Sequence, residues 1–185
     1  MNISTLKRPS HLLWSLSSML LFFLFVQCKN DSPEEINEEE VINKITLQFT
    51  DSENTTFSKT WNEGEAVPAI TLQPNSSYQV AISFFDASDP ADVEDITEEV
   101  IEEADEHLVF YEVTEATVSI ESADDDTRDS AGVPLMINTV WETAAASTGM
   151  VRVYLIHEPS SKDGATRNAI GGSTDAELDF PVTIQ

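Results

Sequence analysis

From residue 44 onward, apolar side chains recur at every second position in a series of short segments. The stretch KITLQFT places Ile45, Leu47 and Phe49 on one side, and TFSKTW repeats the pattern after the polar turn DSEN. Such alternation is typical of strands that bury one face, and two such runs joined by a short turn predict a hairpin. The domain is therefore predicted to begin with two paired strands.

The alternation continues to the end of the chain, in AITLQ, YQVAISFF, LVFYEV, ATVSIES, PLMINTVWET, MVRVYLIHE and AELDFPVTI. About eight or nine short strands with polar turns favour a mainly β fold, an antiparallel β-sandwich. Residues 72–82, LQPNSSYQVAI, resemble the corner L-x-P-x-x-x-Y-x-V of fibronectin type III and immunoglobulin-like sandwiches. This resemblance implies that the Tyr78 hydroxyl group bonds to the corner backbone while the ring packs in the core.

One stretch, DVEDITEEVIEEADEH at residues 92–107, breaks the alternation; nine of its sixteen residues are acidic and none is basic. Ile96, Val100 and Ala104 recur at spacing four, which predicts a short amphipathic helix lying on the sheet, and Asp95 is a suitable first residue. Glutamates at spacing four repel one another along this helix. A bound cation would relieve that repulsion.

The N-terminal region has the pattern of a secretory signal. Lys7 and Arg8 precede an apolar run at residues 12–26, which is too short for a comfortable membrane span. The run ends at FVQC, which resembles the lipobox of bacterial lipoproteins. That resemblance implies a signal peptide at residues 1–27 and lipidation of Cys28 with acyl chains such as palmitate. The alternatives are an ordinary signal peptide with a nearby cysteine and an uncleaved anchor.

Residues 28–40 are predicted to be the lipidated cysteine and a disordered acidic tether, and residues 41–185 a single domain. The tether resembles the lysine-plus-acid signals of surface-exposed lipoproteins. The chain has 34 acidic and nine basic residues, and two of the basic ones lie in the signal peptide. This charge argues against nucleic acid and anionic lipid surfaces as partners and favours cations, although solubility alone would also account for it.

Candidate metal ligands cluster near the acidic helix. Glu99, Glu103 and His107 follow one another at spacing four and would form one stripe if the helix ran as far as His107. Carboxylates with imidazole are reasonable ligands for zinc, manganese or iron. His157 ends a predicted strand, His107 begins one, and antiparallel pairing would bring both to the same end of the sandwich. The predicted ligand set is His107, His157, Glu99, Glu103, Glu106 and Glu158. The alternative is a solvated acidic helix beside hydrogen-bonded histidines.

A second acidic cluster lies in the predicted loop SADDDTRDSAG, where Asp124, Asp126 and Asp129 could hold calcium through oxygen ligands. The spacing is not that of an EF-hand, and Arg128 opposes a cation there. A solvated loop is the default interpretation. The sequence has no G-x-S-x-G elbow, no phosphate-binding glycine loop and no cysteine besides Cys28, so we expect no enzyme activity.

The segments DITEEVIEEADEHLVFY, LIHEPSSKDG and GGSTDAELDFPVTIQ together resemble a group of short outer-membrane lipoproteins of the Bacteroidota, commonly labelled as a type 1 periplasmic-binding-fold superfamily. A fold of that type needs two α/β lobes and more residues, so the strand pattern takes precedence over the label. The resemblance implies an accessory lipoprotein of the outer membrane, at the cell surface, that works beside a TonB-dependent receptor.

These observations predict a lipid-anchored module that captures a metal ion or metal complex for such a receptor. A close variant is haem capture, in which His107 and His157 bind the iron from either side and Phe110, Tyr111 or Trp141 line the pocket. A structural or adhesive sandwich without a small ligand is the main alternative. A carbohydrate-binding module is a weaker one, and it requires Trp61 or Trp141 to be exposed on a flat face.

Overall fold

The chain from residue 40 to residue 185 forms two β-sheets packed face to face, and these are the residues that our computed structural model describes. The predicted signal peptide, Cys28 and the predicted tether up to residue 39 lie outside the described residues. Between residues 40 and 185, no helix combines the length and apolar character needed to cross a bilayer.

Ten strands and two short helices make up the domain. The strands are β1 Lys44–Asp51, β2 Thr56–Asn62, β3 Ile70–Leu72, β4 Ser77–Asp86, β5 Glu94–Asp95, β6 His107–Thr114, β7 Val118–Ser122, β8 Asn138–Thr143, β9 Ser147–His157 and β10 Ser173–Ile184; the helices are α1 Ile96–Glu102 and α2 Arg167–Ile170. The first sheet has the order β2-β1-β4-β8-β7, with β5 paired to β4, and the second has the order β3-β10-β9-β6. The predicted β-sandwich with a short acidic helix is therefore confirmed.

The core lies between the sheets and is filled by the alternating apolar residues of each strand. Phe49, Phe84 and Trp141 come from the first sheet, and Leu155 and Phe180 come from the second; all five side chains are fully buried. The Trp141 ring contacts the Phe49 ring edge-on, with the two ring centroids 5.3 Å apart. Burial of large side chains from both sheets is what holds a sandwich of this size together.

The predicted hairpin is present, and its turn is held by the side chain of Asp51. Oδ1 of Asp51 accepts hydrogen bonds from the backbone N–H groups of Glu53 and Thr55. Asn54 adopts a positive φ of 61°, a conformation that asparagine tolerates better than most residues. Local turn chemistry thus closes β1 onto β2 in the register expected from the alternation.

One strand departs from the antiparallel prediction. After β2 the chain crosses to the second sheet, where β3 joins the edge and runs parallel to β10. At the corner that follows, the backbone N–H of Gln73 donates a 2.9 Å hydrogen bond to the hydroxyl oxygen of Tyr78, whose ring is buried. The contact is the one expected for that tyrosine, whereas the wider likeness to immunoglobulin and fibronectin domains stays a prediction.

The outer face of the second sheet is partly covered, which explains why the end of β9 is apolar on both sides. Tyr154 and Ile156 point away from the main core and pack with Leu108 and Ile170 in a second, smaller cluster. Ile170 belongs to α2, a helix that the sequence pattern did not predict. The segment between β9 and β10 therefore lies over the strand end that contains His157.

Candidate metal-binding site

The two histidines of the domain are direct neighbours across two strands. His107 is the first residue of β6, His157 is the last residue of β9, and the antiparallel register pairs them. Their rings stack with centroids 4.9 Å apart and planes inclined by 12°. Both residues are buried, with exposures of 0% for His107 and 6% for His157. The predicted placement of both histidines at one end of the sandwich is confirmed.

Helix α1 stops before it could form the predicted stripe. It ends at Glu102, and the N–H of Glu103, its C-terminal cap, donates to the carbonyl oxygen of Glu99. Glu106 N–H then donates to the Glu103 carbonyl oxygen, and β6 begins at His107. Acidic side chains at the negative end of a helix disfavour its extension, and no basic residue lies in the last turn. His107 therefore belongs to a strand rather than to the stripe of Glu99 and Glu103.

The two ring nitrogens of His107 have different partners. Nδ1 lies 3.2 Å from the carbonyl oxygen of Glu103, and Nε2 lies 2.9 Å from Oε1 of Glu40. A carbonyl oxygen only accepts hydrogen bonds, so Nδ1 donates to Glu103 and the Nδ1–H position is fixed. Nε2 is thereby directed at a carboxylate whose side chain is only 7% exposed.

Burial and charge act in opposite directions on this pair. Burial alone would lower the pKa of His107, but the hydrogen bond and the charge of Glu40 outweigh it and raise the pKa above its ordinary 6.5. For Glu40, burial would raise the pKa, yet the hydrogen bond and the charge of His107 bring it below 4.5. Each group thus favours the charged form of the other.

The ion pair of His107 with Glu40 is expected to stabilise the fold only within a window of pH. The Glu40 contribution is complete above 4.5 and is lost as the pH falls through the lowered pKa, whereas the His107 contribution is complete below 6.5 and is lost as the pH rises through the raised pKa. We expect wild type to exceed Glu40→Gln by about 2 kcal/mol inside that window, with the difference shrinking on either side. Urea denaturation across the pH range, with chelator present, measures this difference. A constant difference at every pH would contradict the assignment.

The other histidine has its own acidic neighbours. Nε2 of His157 lies 3.6 Å from Oε2 of Glu106, and Glu158 follows directly at a positive φ of 47°. Asp175 lies at an irregularity in the pairing of β9 with β10, between Thr174 and Ala176. A bulge of this kind redirects a side chain out of the strand alternation, and here it brings Asp175 to the histidines.

Three overlapping groups of side chains in residues 40–185 bring one possible ligand atom from each member within 4.8 Å of the others. They are His107 with His157 and Asp175, His107 with Glu40 and Glu103, and His157 with Glu106 and Glu158. Of the predicted ligands, only Glu99 is outside these groups. Its pKa is raised by burial first and then by the charges of Glu103 and Glu40. Glu40 and Asp175 were not predicted.

A glycine allows β10 to start beside the site. Gly172 has a φ of 73°, and a Cβ atom there would lie 2.4 Å from the carbonyl oxygen of His157 and 2.8 Å from that of Glu158. Only a residue without a side chain permits this approach in that conformation. Gly172 thus lets the chain return close to His157 just before Asp175.

The predicted calcium loop uses its carboxylates in another way. Oδ1 and Oδ2 of Asp126 accept hydrogen bonds from the backbone N–H groups of Met136, Ile137 and Asn138, and Asp126 is 7% exposed. Asp129 accepts from Lys162 Nζ at 3.0 Å. Asp124, Asp126 and Asp129 form no group of converging ligand atoms within the described part of the chain. A calcium role for the loop stays a prediction without geometric support.

The alternatives with larger ligands fit this geometry less well. Stacked rings 4.9 Å apart leave no space for a porphyrin plane between His107 and His157. Trp141 is fully buried in the core, and Trp61 is half-buried, with its ring N–H donating to the carbonyl oxygen of Glu65. Neither tryptophan offers the exposed flat face that a carbohydrate-binding module would use.

The arrangement combines two buried imidazoles with five carboxylates, of which Glu103, Glu106 and Glu158 are exposed. Imidazole nitrogen with carboxylate oxygen is a ligand set that suits zinc and other divalent transition metals. A histidine paired with a glutamate can also be a structural ion pair that only stabilises the fold. The geometry therefore supports either a metal site or such an ion pair. Comparison of the chain with protein-family models, curated proteins and solved structures gives no match.

Proposed function

We propose that this protein is a binding module that captures a divalent transition metal, zinc or iron, at the cluster formed by His107, His157 and Asp175. The observation that supports the proposal is the direct pairing of two buried histidines with a carboxylate inside 4.8 Å. Histidine and carboxylate atoms held this close by neighbouring strands are within reach of a common metal.

Two features of the site bear on how a metal would enter. The rings are nearly parallel, so binding one metal through both requires one ring to turn about its Cβ–Cγ bond toward the other. Glu106 and Glu158 are exposed at the mouth of the cluster and add negative charge there. In a chain with a net charge of −25, this field raises the local concentration of cations near the site.

Lipid anchoring through Cys28, exposure at the cell surface and transfer of the metal to a TonB-dependent receptor belong to the same proposal. Their support is the signal-like N-terminal pattern and the resemblance of the sequence segments to outer-membrane lipoproteins. A structural or adhesive sandwich is the second candidate, because the ion pair of His107 with Glu40 satisfies both groups without a metal.

Calorimetric titration of zinc into the metal-stripped full chain in detergent tests the proposal. We expect one zinc per chain with micromolar or tighter affinity, because a buried cluster supplies two imidazoles and a carboxylate. His157→Ala should weaken binding at least about 100-fold, as expected when a ligand itself is removed. The matched control is Glu102→Gln, which removes one exposed negative charge from α1 outside the three groups and should bind zinc like wild type.

The alternative predicts a different titration. Weak binding of several zinc ions per chain that is unchanged in His157→Ala would show that the acidic surface attracts cations without a defined site. The structural or adhesive candidate would then replace metal capture.

A further inference from the structure

Glu40 differs from the other carboxylates of the site because it precedes the first strand. It lies four residues before β1, at the start of the described chain, and reaches His107 across 67 residues of sequence. Its side chain is nonetheless only 7% exposed. A glutamate at the end of a polar, acidic segment is expected to point into solvent, so its burial needs a specific reason.

Within residues 40–185, only one of the two carboxylate oxygens of Glu40 has a hydrogen-bond partner. Oε1 bonds to Nε2 of His107, whereas Oε2 is buried and has no hydrogen-bond partner there. Leaving a buried carboxylate oxygen without a partner costs free energy that a hydrogen bond or a cation would recover. A cation held by Glu40 and His107 would supply that partner.

The Glu40 carboxylate is close enough to His107 to share a metal with it after a small shift. Nε2 of His107 and Oε1 of Glu40 are 2.9 Å apart, the distance of a direct hydrogen bond. Two ligand atoms of a tetrahedral zinc, each about 2.1 Å from the metal, are about 3.4 Å apart, so the carboxylate would withdraw by about 0.5 Å to admit the ion. Nδ1 of His107 already donates to the Glu103 carbonyl oxygen, and this hydrogen bond fixes the tautomer of the ring. Nε2 is therefore the nitrogen that would bind the metal.

We infer that Glu40 is a ligand of the metal bound by His107, and that the bound metal thereby fastens the start of the domain to the end of β6. This inference rests on the proposed function and adds a ligand and a consequence to it. Without metal, the 2.9 Å hydrogen bond holds Glu40 to His107; with metal, the cation would join the same two side chains.

The consequence concerns the residues between Glu40 and β1. Val41 is 55% exposed, Ile42 packs against the core, and Asn43 N–H donates to the carbonyl oxygen of Phe85. A metal bond to Glu40 would strengthen the fixed point that its hydrogen bond to His107 already provides on the other side of Val41. Backbone opening of residues 41–43 should therefore become rarer when the metal is bound.

Zinc titration of the full chain in detergent tests the assignment with two substitutions at the same position. Glu40→Gln keeps the shape and a hydrogen-bonding side chain but removes the anionic ligand, and we expect zinc to bind at least about 10-fold more weakly. Glu40→Asp keeps the charge but withdraws the carboxylate by one methylene group, so it should also bind more weakly. Glu102→Gln again controls for the loss of one charge in the same acidic surroundings.

Hydrogen exchange provides a readout that a purely electrostatic effect would not change. Zinc should slow exchange at the amides of residues 41–43 at least about 10-fold in wild type, in proportion to the weakening of binding expected when this ligand is lost, and should not slow it in Glu40→Gln.

The outcomes separate this inference from the proposed function. Wild-type affinity in Glu40→Gln, or wild-type affinity in Glu40→Asp alone, would overturn the assignment of Glu40 as a ligand while leaving metal capture in place. Absence of defined zinc binding by wild type would overturn both.

Discussion

Replacing His107 with alanine should abolish tight zinc binding and lower the free energy of unfolding by about 3–5 kcal/mol in metal-free protein. His107 is fully buried, and its ring contacts both the Glu40 carboxylate and the His157 ring. Removing the imidazole leaves a carboxylate that is 7% exposed without its cationic partner and leaves a void beside His157.

A companion substitution separates the two effects of His107→Ala. His107→Gln can still donate a hydrogen bond to Glu40, so it should lose zinc binding while keeping most of the stability. Denaturant unfolding with chelator measures the free energy of unfolding, and calorimetry measures zinc binding. Equal stability of wild type and His107→Ala would contradict the buried ion pair, and equal zinc affinity would contradict the site.

The second large effect is expected at Asp126, which belongs to none of the groups that contain the histidines. Its carboxylate accepts three backbone N–H groups from Met136 to Asn138, and also the hydroxyl group of Ser122. Asp126→Ala would leave these donors without their acceptor at the place where the chain enters β8. Since a hydrogen bond to a charged group contributes about 1.5–3 kcal/mol, we expect the free energy of unfolding to fall by at least about 3 kcal/mol.

Asp124→Ala is the matched control for Asp126→Ala, because Asp124 is an exposed aspartate in the same loop. An exposed substitution of this kind should change the free energy of unfolding by at most about 0.5 kcal/mol. Denaturant unfolding with and without calcium measures both variants. If calcium stabilised wild type and Asp126→Ala removed that effect, the loop would be a cation site rather than a hydrogen-bonded turn.

The parts of the fold that follow from side-chain alternation could be predicted well. Residues 45, 47 and 49 face the core as the period of two requires, and β6 and β9 pair so that the two histidines meet. The predicted strand at PLMINTVWET begins only at Asn138, because Asp126 takes the backbone N–H groups of the residues before it. A side chain that competes for backbone donors is not visible in apolar periodicity.

The sequence pattern did not predict Asp175 and Glu40 as site residues, for two different reasons. Strand alternation from Leu178 back through Ala176 places Asp175 on the outer face, and only the irregularity at that residue turns it toward the histidines. Glu40 belongs to a run of three glutamates, and nothing in their order separates the last from its neighbours. Contacts made by a bulge or by a chain end depend on tertiary packing, which a periodic pattern does not encode.

The pairing of His107 with His157 also has a consequence for how the fold could be cross-linked. The two residues are fifty positions apart, and Cys28 is the only cysteine, so no disulfide can close a loop within this chain. A metal held by both rings would be a reversible cross-link across that interval. Because such a metal would leave when the site unfolds, it would stabilise the fold by mass action, by about 4 kcal/mol when free metal is at about 1,000 times the dissociation constant. The supply of metal would then set how firmly β6 and β9 stay joined.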